Sequence, residues 1–364
     1  YTPKEGRILP LAAGSSRRIG KGRSPLRFVS TPGSGGRGAW GDFNGDGNPD
    51  LVVTGRSVAL YRDEGGRLVD TTAAAGLSRV RDAWDAVWVD FEGNGTLDLY
   101  VIRSGHIGAG QNQLFANDGH GNFIDVTAAV GLAGTRPTSR ACFADFDGDG
   151  RLDLVEVGAR TGQHASVRFY RNAGNQYVEQ TASGLSGRAT AVDCAVGDFS
   201  GDGKLDLFVL YWKSPAVLYA NRGNGRFEDV TKAAGLAGVG GHGFSAVFFD
   251  FDNDGRLDVL VTSQAPLEEV ARSILQPEDR STHYAPRLFR NAGGIFEEVT
   301  EKVGLRHAYG TMQAVVADFD GDGRQDVLLA NGGVEAARLE PSVVLRNVNA
   351  EKLEEWLFLP SFDQ

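Results

Sequence analysis

Six times along its 364 residues the chain repeats one nine-residue pattern, Asp-x-Asp-Gly-Asp-Gly-x-x-Asp, at intervals of about fifty residues. The copies are Asp42–Asp50 (DFNGDGNPD), Asp90–Asp98 (DFEGNGTLD), Asp145–Asp153 (DFDGDGRLD), Asp198–Asp206 (DFSGDGKLD), Asp250–Asp258 (DFDNDGRLD) and Asp318–Asp326 (DFDGDGRQD). A period of that size limits the architecture before any local feature is weighed. Each copy follows a short apolar run (AVWVD, AVFFD, AVVAD) and precedes another (LDLYVI, LDLFVL, LDVLVT). Apolar β-forming runs on either side of a Gly-rich turn read as a hairpin.

The rest of each period repeats too. Leu218–Leu236 (LYANRGNGRFEDVTKAAGL) and Leu288–Leu305 (LFRNAGGIFEEVTEKVGL) share a strand, a Gly-rich turn and an F-x-D-V-T-x-x-x-G-L tail. Each unit thus supplies four strands in two hairpins, and about fifty residues per four-stranded unit is a propeller-blade period. Tandem β-sandwiches would need about 100 residues each. The expectation is an all-β fold, one β-propeller domain over residues 1–364, with an insertion at 264–285 between strands of one blade. Seven blades are expected, with six as the alternative. Leu357–Gln364 aligns with the run entering a loop, while Lys4–Leu11 and Arg18–Thr31 align with the remainder of a unit. A seventh blade would then take its innermost strand from the C-terminus and the others from the N-terminus, removing exposed sheet edges.

Ligand spacing gives the loop its chemistry. Side-chain oxygens at positions one, three, five and nine, with the carbonyl of position seven, form a hard-oxygen set that suits Ca²⁺ rather than zinc or copper. The candidate ligands are Asp42, Asn44, Asp46, Asn48 and Asp50; Asp90, Glu92, Asn94, Thr96 and Asp98; and Asp145, Asp147, Asp149, Arg151 and Asp153. The later copies offer Asp198, Ser200, Asp202, Lys204 and Asp206; Asp250, Asp252, Asp254, Arg256 and Asp258; and Asp318, Asp320, Asp322, Arg324 and Asp326. About six calcium ions are expected. Mg²⁺ demands near-ideal octahedral geometry and retained waters, which a wrapping loop opposes. The loops at Asp90 and Asp198 carry fewer acids or a longer side chain, and are expected to bind most weakly. Phe at position two should point away from the ion into the packing between blades.

These units resemble FG-GAP/VCBS repeats, the blade type of the integrin α-chain head and of many secreted bacterial proteins. The resemblance covers nearly the whole chain and implies a calcium-binding propeller whose ion loops join the first and second strands of each blade. It implies less about function, since the family holds adhesion heads, lectin-like binders and some polysaccharide-degrading enzymes. Ligands of such propellers often use the opposite face. Five residues before each loop stand Arg37, Asp85, Arg140, Asp193, Ser245 and Gln313, with Trp84, His242, Phe244 and Tyr309 nearby. Aromatic and charged groups at converging loops suit a sugar or a peptide. The competing expectation is that the charges pair around the channel and the aromatics fill blade interfaces. Arg37, Trp84, Asp85, Arg140, Asp193, His242 and Tyr309 are the candidate ligand contacts.

The net charge of −10 agrees with ion binding, because close to half of the 47 acidic residues lie inside the six loops. No basic patch suits nucleic acid, and no apolar run reaches transmembrane length. The His residues share no register, and HExxH and GxSxG are absent. The leading expectation is a calcium-stabilised extracellular binding scaffold, a monomeric domain presenting loops to a glycan or protein. The alternatives are a polysaccharide lyase or hydrolase, or a structural segment of a larger multidomain protein. Weak, numerous calcium sites fit a secreted, periplasmic or cell-surface setting. Cys142 and Cys194, just before the third and fourth loops, are expected as buried free thiols, with a bridge between adjacent units as the alternative.

Overall fold

The computed structural model describes residues 37–359, apart from 104–109, 135–136, 160–165, 188, 265, 267, 269–283, 306–309, 332–341 and 350. Among the described residues, the chain forms six four-stranded antiparallel sheets. Blade one holds Gly38–Gly41, Asp50–Val53, Ala59–Asp63 and Leu68–Asp70; blade two holds Asp85–Val89, Asp98–Ile102, Gln113–Asn117 and Phe123–Asp125. Blade three holds Arg140–Ala144, Asp153–Val157, Val167–Asn172 and Tyr177–Glu179; blade four holds Ala191–Gly197, Asp206–Tyr211, Ser214–Asn221 and Phe227–Asp229. Blade five holds Gly243–Phe249, Asp258–Ser263, Arg287–Asn291 and Phe296–Glu298; blade six holds Thr311–Ala317, Asp326–Asn331, Ser342–Asn349 and Lys352–Leu359. The first strands of successive blades lie side by side, as at the hub of a propeller. A small extra pairing joins Gly55–Ser57 to Arg81–Ala83 between blades one and two.

Burial follows place in the blade. The second strands of blades two to five, covered on both faces by neighbouring blades, are buried at every position, as in Asp98–Ile102 and Asp206–Tyr211. The fourth strands of blades two to five bury only their first residue: Phe123, Tyr177, Phe227 and Phe296 each lead two exposed positions. The position-two phenylalanines fill the interfaces as expected. Phe146 packs on Phe227 of blade four, Phe43 on Phe123 of blade two and Phe199 on Phe296 of blade five, with ring centroids 5.5–5.8 Å apart.

Hydrogen bonds tie the blades in two repeating ways. In blades two to six the amide Nδ2 of an Asn at or near the end of the third strand donates to the Phe carbonyl in the preceding blade's loop: Asn117 to Phe43, Asn172 to Phe91, Asn221 to Phe146, Asn291 to Phe199 and Asn347 to Phe251, at 2.7–3.2 Å. In blades two to six an N–H at the start of the fourth strand donates to the turn that ends the preceding blade, as Phe227 N does to Ser183 O at 2.7 Å. Gly184 in that turn has φ +87°, and a Cβ there would stand 2.1 Å from Phe227 O. Only glycine fits such an approach.

The C-terminal strand corrects one expectation. Lys352–Leu359 does not enter a seventh blade as an inner strand; it is the fourth strand of blade six, paired along Ser342–Asn349 from Asn349↔Lys352 to Ser342↔Leu359. Leu353 takes the place held elsewhere by Phe123 or Phe227, and its N–H donates to Val303 O at 2.7 Å in the same way. Among the described residues there are six blades, the alternative count. The N-terminal part of the seventh-blade expectation, residues 1–36, lies outside the described residues, as does most of the insertion at 264–285.

The thiol expectation is also corrected. Cys142 and Cys194 form a disulfide between the first strands of blades three and four, with Cα atoms 6.7 Å apart. The adjacency of inner strands brings the two residues within bridging distance.

Candidate metal centres and the opposite face

All six loops share one internal hydrogen-bond scheme. The position-one carboxylate accepts the N–H groups of positions five and six, as Asp250 does from Asp254 at 3.0 Å and Gly255 at 2.9 Å. The position-five side chain accepts the N–H of position seven, as Asp254 does from Arg256 at 2.9 Å. Asn253 at position four has φ +56° and Gly255 at position six φ +84°, the left-handed turns that draw the carboxylates inward.

Position nine does a second job that its spacing did not reveal. Asp153 is fully buried; its Oδ2 accepts the N–H of Phe146 at 3.1 Å and its Oδ1 accepts the N–H of Asn172 at 2.8 Å. Asp50, Asp98, Asp258 and Asp326 repeat both bonds, and Asp206 keeps the one to Asn221. The residue therefore locks the loop to its own third strand. Burial is the main cause that raises these carboxyls, to about 7 for Asp153 and about 6 for Asp98, Asp206 and Asp258. Neighbouring loop carboxylates add to the rise, a penalty that a bound cation would relieve.

Three loops gather acidic oxygens within 4.8 Å of one another: Asp145, Asp147 and Asp153; Asp250, Asp252 and Asp254; and Asp318, Asp320 and Asp326. They are the three loops with an acid at all four ligand positions. The Asp252 side chain is 6% exposed, and its buried Oδ1 has no hydrogen-bond partner. A buried carboxylate oxygen left unsatisfied in an acidic cluster fits a hard cation.

Blade topology puts the other candidate residues at the opposite end of the strands. There Arg37 Nη1 lies 3.2 Å from Asp85 Oδ2, Arg140 pairs with Asp85, and Arg140 Nε lies 3.0 Å from Asp193 Oδ1. Asp193 Oδ2 also accepts the N–H of Ala246 at 3.0 Å, so the chain of charges links blades one to five. Burial lowers Arg37, whereas Asp193 and Asp85 outweigh burial at Arg140 and raise it. The Arg37 guanidinium sits 5.1 Å from the centroid of Trp84. The charges thus pair with one another. His242 belongs to a separate half-exposed aromatic group, 5.9 Å from Trp212 and 5.3 Å from Tyr284, with Phe244 6.3 Å from Trp212. Tyr309 lies outside the described residues.

Sequence reasoning missed a buried cluster between blades two and three. Glu156 accepts from Tyr100 Oη at 2.5 Å, Asn112 Nδ2 at 2.7 Å and Arg168 Nε at 3.2 Å. Its one signal was a charged residue inside each of two otherwise apolar strands, LDLVEV and SVRFY.

The profile of the FG-GAP-like repeat matches residues 42–101, 104–156, 157–209, 198–261 and 278–329. The chain belongs to this FG-GAP family. Among its relatives, cartilage acidic protein 1 of Mus musculus is 29% identical over 259 residues, covering 67% of this chain and 37% of that protein. T-cell immunomodulatory protein of Rattus norvegicus is 28% identical over 256 residues, covering 61% and 42%. This FG-GAP chain therefore spans about two fifths of the length of either relative. An Agrocybe aegerita lectin, described as recognising non-reducing terminal N-acetylglucosamine, superposes with a TM-score of 0.56 at 18% identity, covering 89% of this chain and 80% of the lectin. That likeness is one of fold.

Proposed function

We propose that the protein is a calcium-stabilised extracellular binding scaffold that holds calcium at one end of its blades and presents the other end to a glycan or protein. The observation that carries the calcium half is the convergence of loop carboxylates within 4.8 Å in three blades, with the buried Asp252 Oδ1 unpartnered. Asp145, Asp147 and Asp153, with their counterparts in the other loops, would hold the ion; a bound cation would cross-link each loop and relieve the repulsion among its acids. Calcium follows from the all-oxygen donor set and the flexible wrapping loop. The disulfide supports an oxidising, extracellular or periplasmic setting.

The binding half is supported by the half-exposed Trp212, His242, Phe244 and Tyr284 at the end opposite the loops. Aromatic faces beside polar groups suit sugar rings and peptide side chains. The lectin of shared fold makes glycans the first class to screen. The test is a glycan array probed with calcium-loaded protein, followed by the Trp212→Ala variant on any hit and by a turnover assay on the same sugars. Saturable binding that Trp212→Ala weakens, without product, is the expected result. Product formation would replace the scaffold reading with an enzymatic one.

A further inference from the structure

The calcium reading above leads to a question it does not answer: what sets the affinity of each loop. The three loops with Asp at position three, Asp147, Asp252 and Asp320, each face an arginine on the third strand, one residue before the Asn that bonds the preceding blade's loop. Arg290 Nε lies 2.7 Å from Asp252 Oδ2, Arg171 pairs with Asp147, and Arg346 pairs with Asp320. Arg171 and Arg346 also reach position five, at Asp149 (3.2 Å) and Asp322 (3.4 Å). Where position three is Glu92 with Asn94 beyond it, or Ser200, the same strand position is Ala116 or Ala220. Blade one has Asn44 at position three and keeps an arginine, Arg62, but that guanidinium pairs with Glu64.

With the position-seven arginine on the position-five Asp counted too, each four-acid loop sets four carboxylates beside two guanidiniums, the same net charge as the three carboxylates and Lys204 of the Asp198 loop. The position-seven cations reach position five, whereas the strand arginines are the ones that pair with the fourth acid at position three. A strand arginine paired with the position-three Asp accompanies the fourth acid in all three four-acid loops. Asp252 shows how the arrangement works at one carboxylate: Oδ2 faces Arg290, and the buried Oδ1 is left for a cation.

We infer that Arg171, Arg290 and Arg346 are charge-compensating residues that bring the calcium affinity of the four-acid loops down to that of the three-acid loops. All six loops then fill over one narrow calcium range. Acid number alone would spread them, with the loops at Asp90 and Asp198 filling last. Because each arginine is close to half exposed, its repulsion of the ion is screened, and the expected effect of removing the charge is about three- to tenfold tighter binding at that loop.

The experiment titrates metal-stripped protein with calcium chloride and follows single amides by NMR: Gly255 for the Asp250 loop and Gly203 for the Asp198 loop as internal control. Arg290→Met removes the charge but keeps the bulk, and Arg290→Lys keeps the charge. The expected result is a Gly255 midpoint shifted to lower calcium in Arg290→Met and unchanged in Arg290→Lys, with Gly203 unmoved in both. Weaker binding in both variants would mean that the arginine orients Asp252, and would overturn the inference. An unchanged midpoint in Arg290→Met would overturn it as well. If neither Gly255 nor Gly203 of the unsubstituted protein responds to calcium, the calcium reading fails and the inference falls with it.

Discussion

Asn221 Nδ2 donates 2.8 Å to the carbonyl of Phe146, 75 positions earlier and one blade away, and 3.0 Å to Leu205 in its own loop. One buried amide therefore joins two loops, each of which gathers carboxylates around a candidate ion. Asn221→Ala would leave both carbonyls without that donor. The expected loss is about 2–3 kcal/mol of folding stability, read by urea unfolding. Asn221→Asp should cost more, because a carboxylate would face two carbonyl oxygens. In blade one the equivalent residue is Asp63, which when ionised has no hydrogen to give and instead accepts from Gly66 at 2.5 Å.

The Cys142–Cys194 bridge closes a loop of 52 residues across two blades. Replacing both cysteines by serine should lower stability by about 2–4 kcal/mol, measured by denaturant unfolding without reductant. Peptide mapping of the unreduced protein should find the two cysteines in one linked fragment.

The position-nine acids give the metal-free protein an unusual pH dependence. Asp153, with its carboxyl pushed up to about 7, keeps its proton in the fold at pH values where the unfolded chain has lost it. The folded state then binds more protons between about pH 4 and 7, so stability falls as pH rises through that window. In chelator the protein should unfold more easily at pH 8 than at pH 5.5. Calcium should reverse the order, because the ion competes with protons for the loop carboxylates. Chemical denaturation at both pH values, with and without calcium, checks the reversal.

Much of this architecture was legible in the chain because the repeat is written in residues with few alternatives. Asp at fixed spacing makes the loop, Gly permits its turns, and Phe at position two has nowhere to go but the blade interface. The role of the C-terminal segment was misread. LFLPSFDQ resembles the run into a loop, but the strand is defined by its partner, and Leu353 fills the fourth-strand pocket of blade six. The disulfide was undecided because the distance between two inner strands depends on the closure of the ring, not on local sequence. The candidate ligand residues Arg37, Asp85, Arg140 and Asp193 could be read as polar and axial, but their pairing depends on which side chains meet across blades. The strand arginines had a visible signal, Arg in LYRN-like runs wherever the loop has Asp at position three. It appears only when two distant columns of the repeat are compared.

The central claim is that calcium completes the folded propeller. Ligands that bind only the folded state add RT ln(1 + [L]/Kd) at each site, so several sites together should give a large effect. The most direct measurement is thermal unfolding of metal-stripped protein in chelator, in millimolar Mg²⁺ and in millimolar Ca²⁺. A Tm that rises strongly with calcium and little with magnesium is the expected result. An identical Tm in all three, with metal analysis confirming that the stripped sample is free of calcium, would contradict the account.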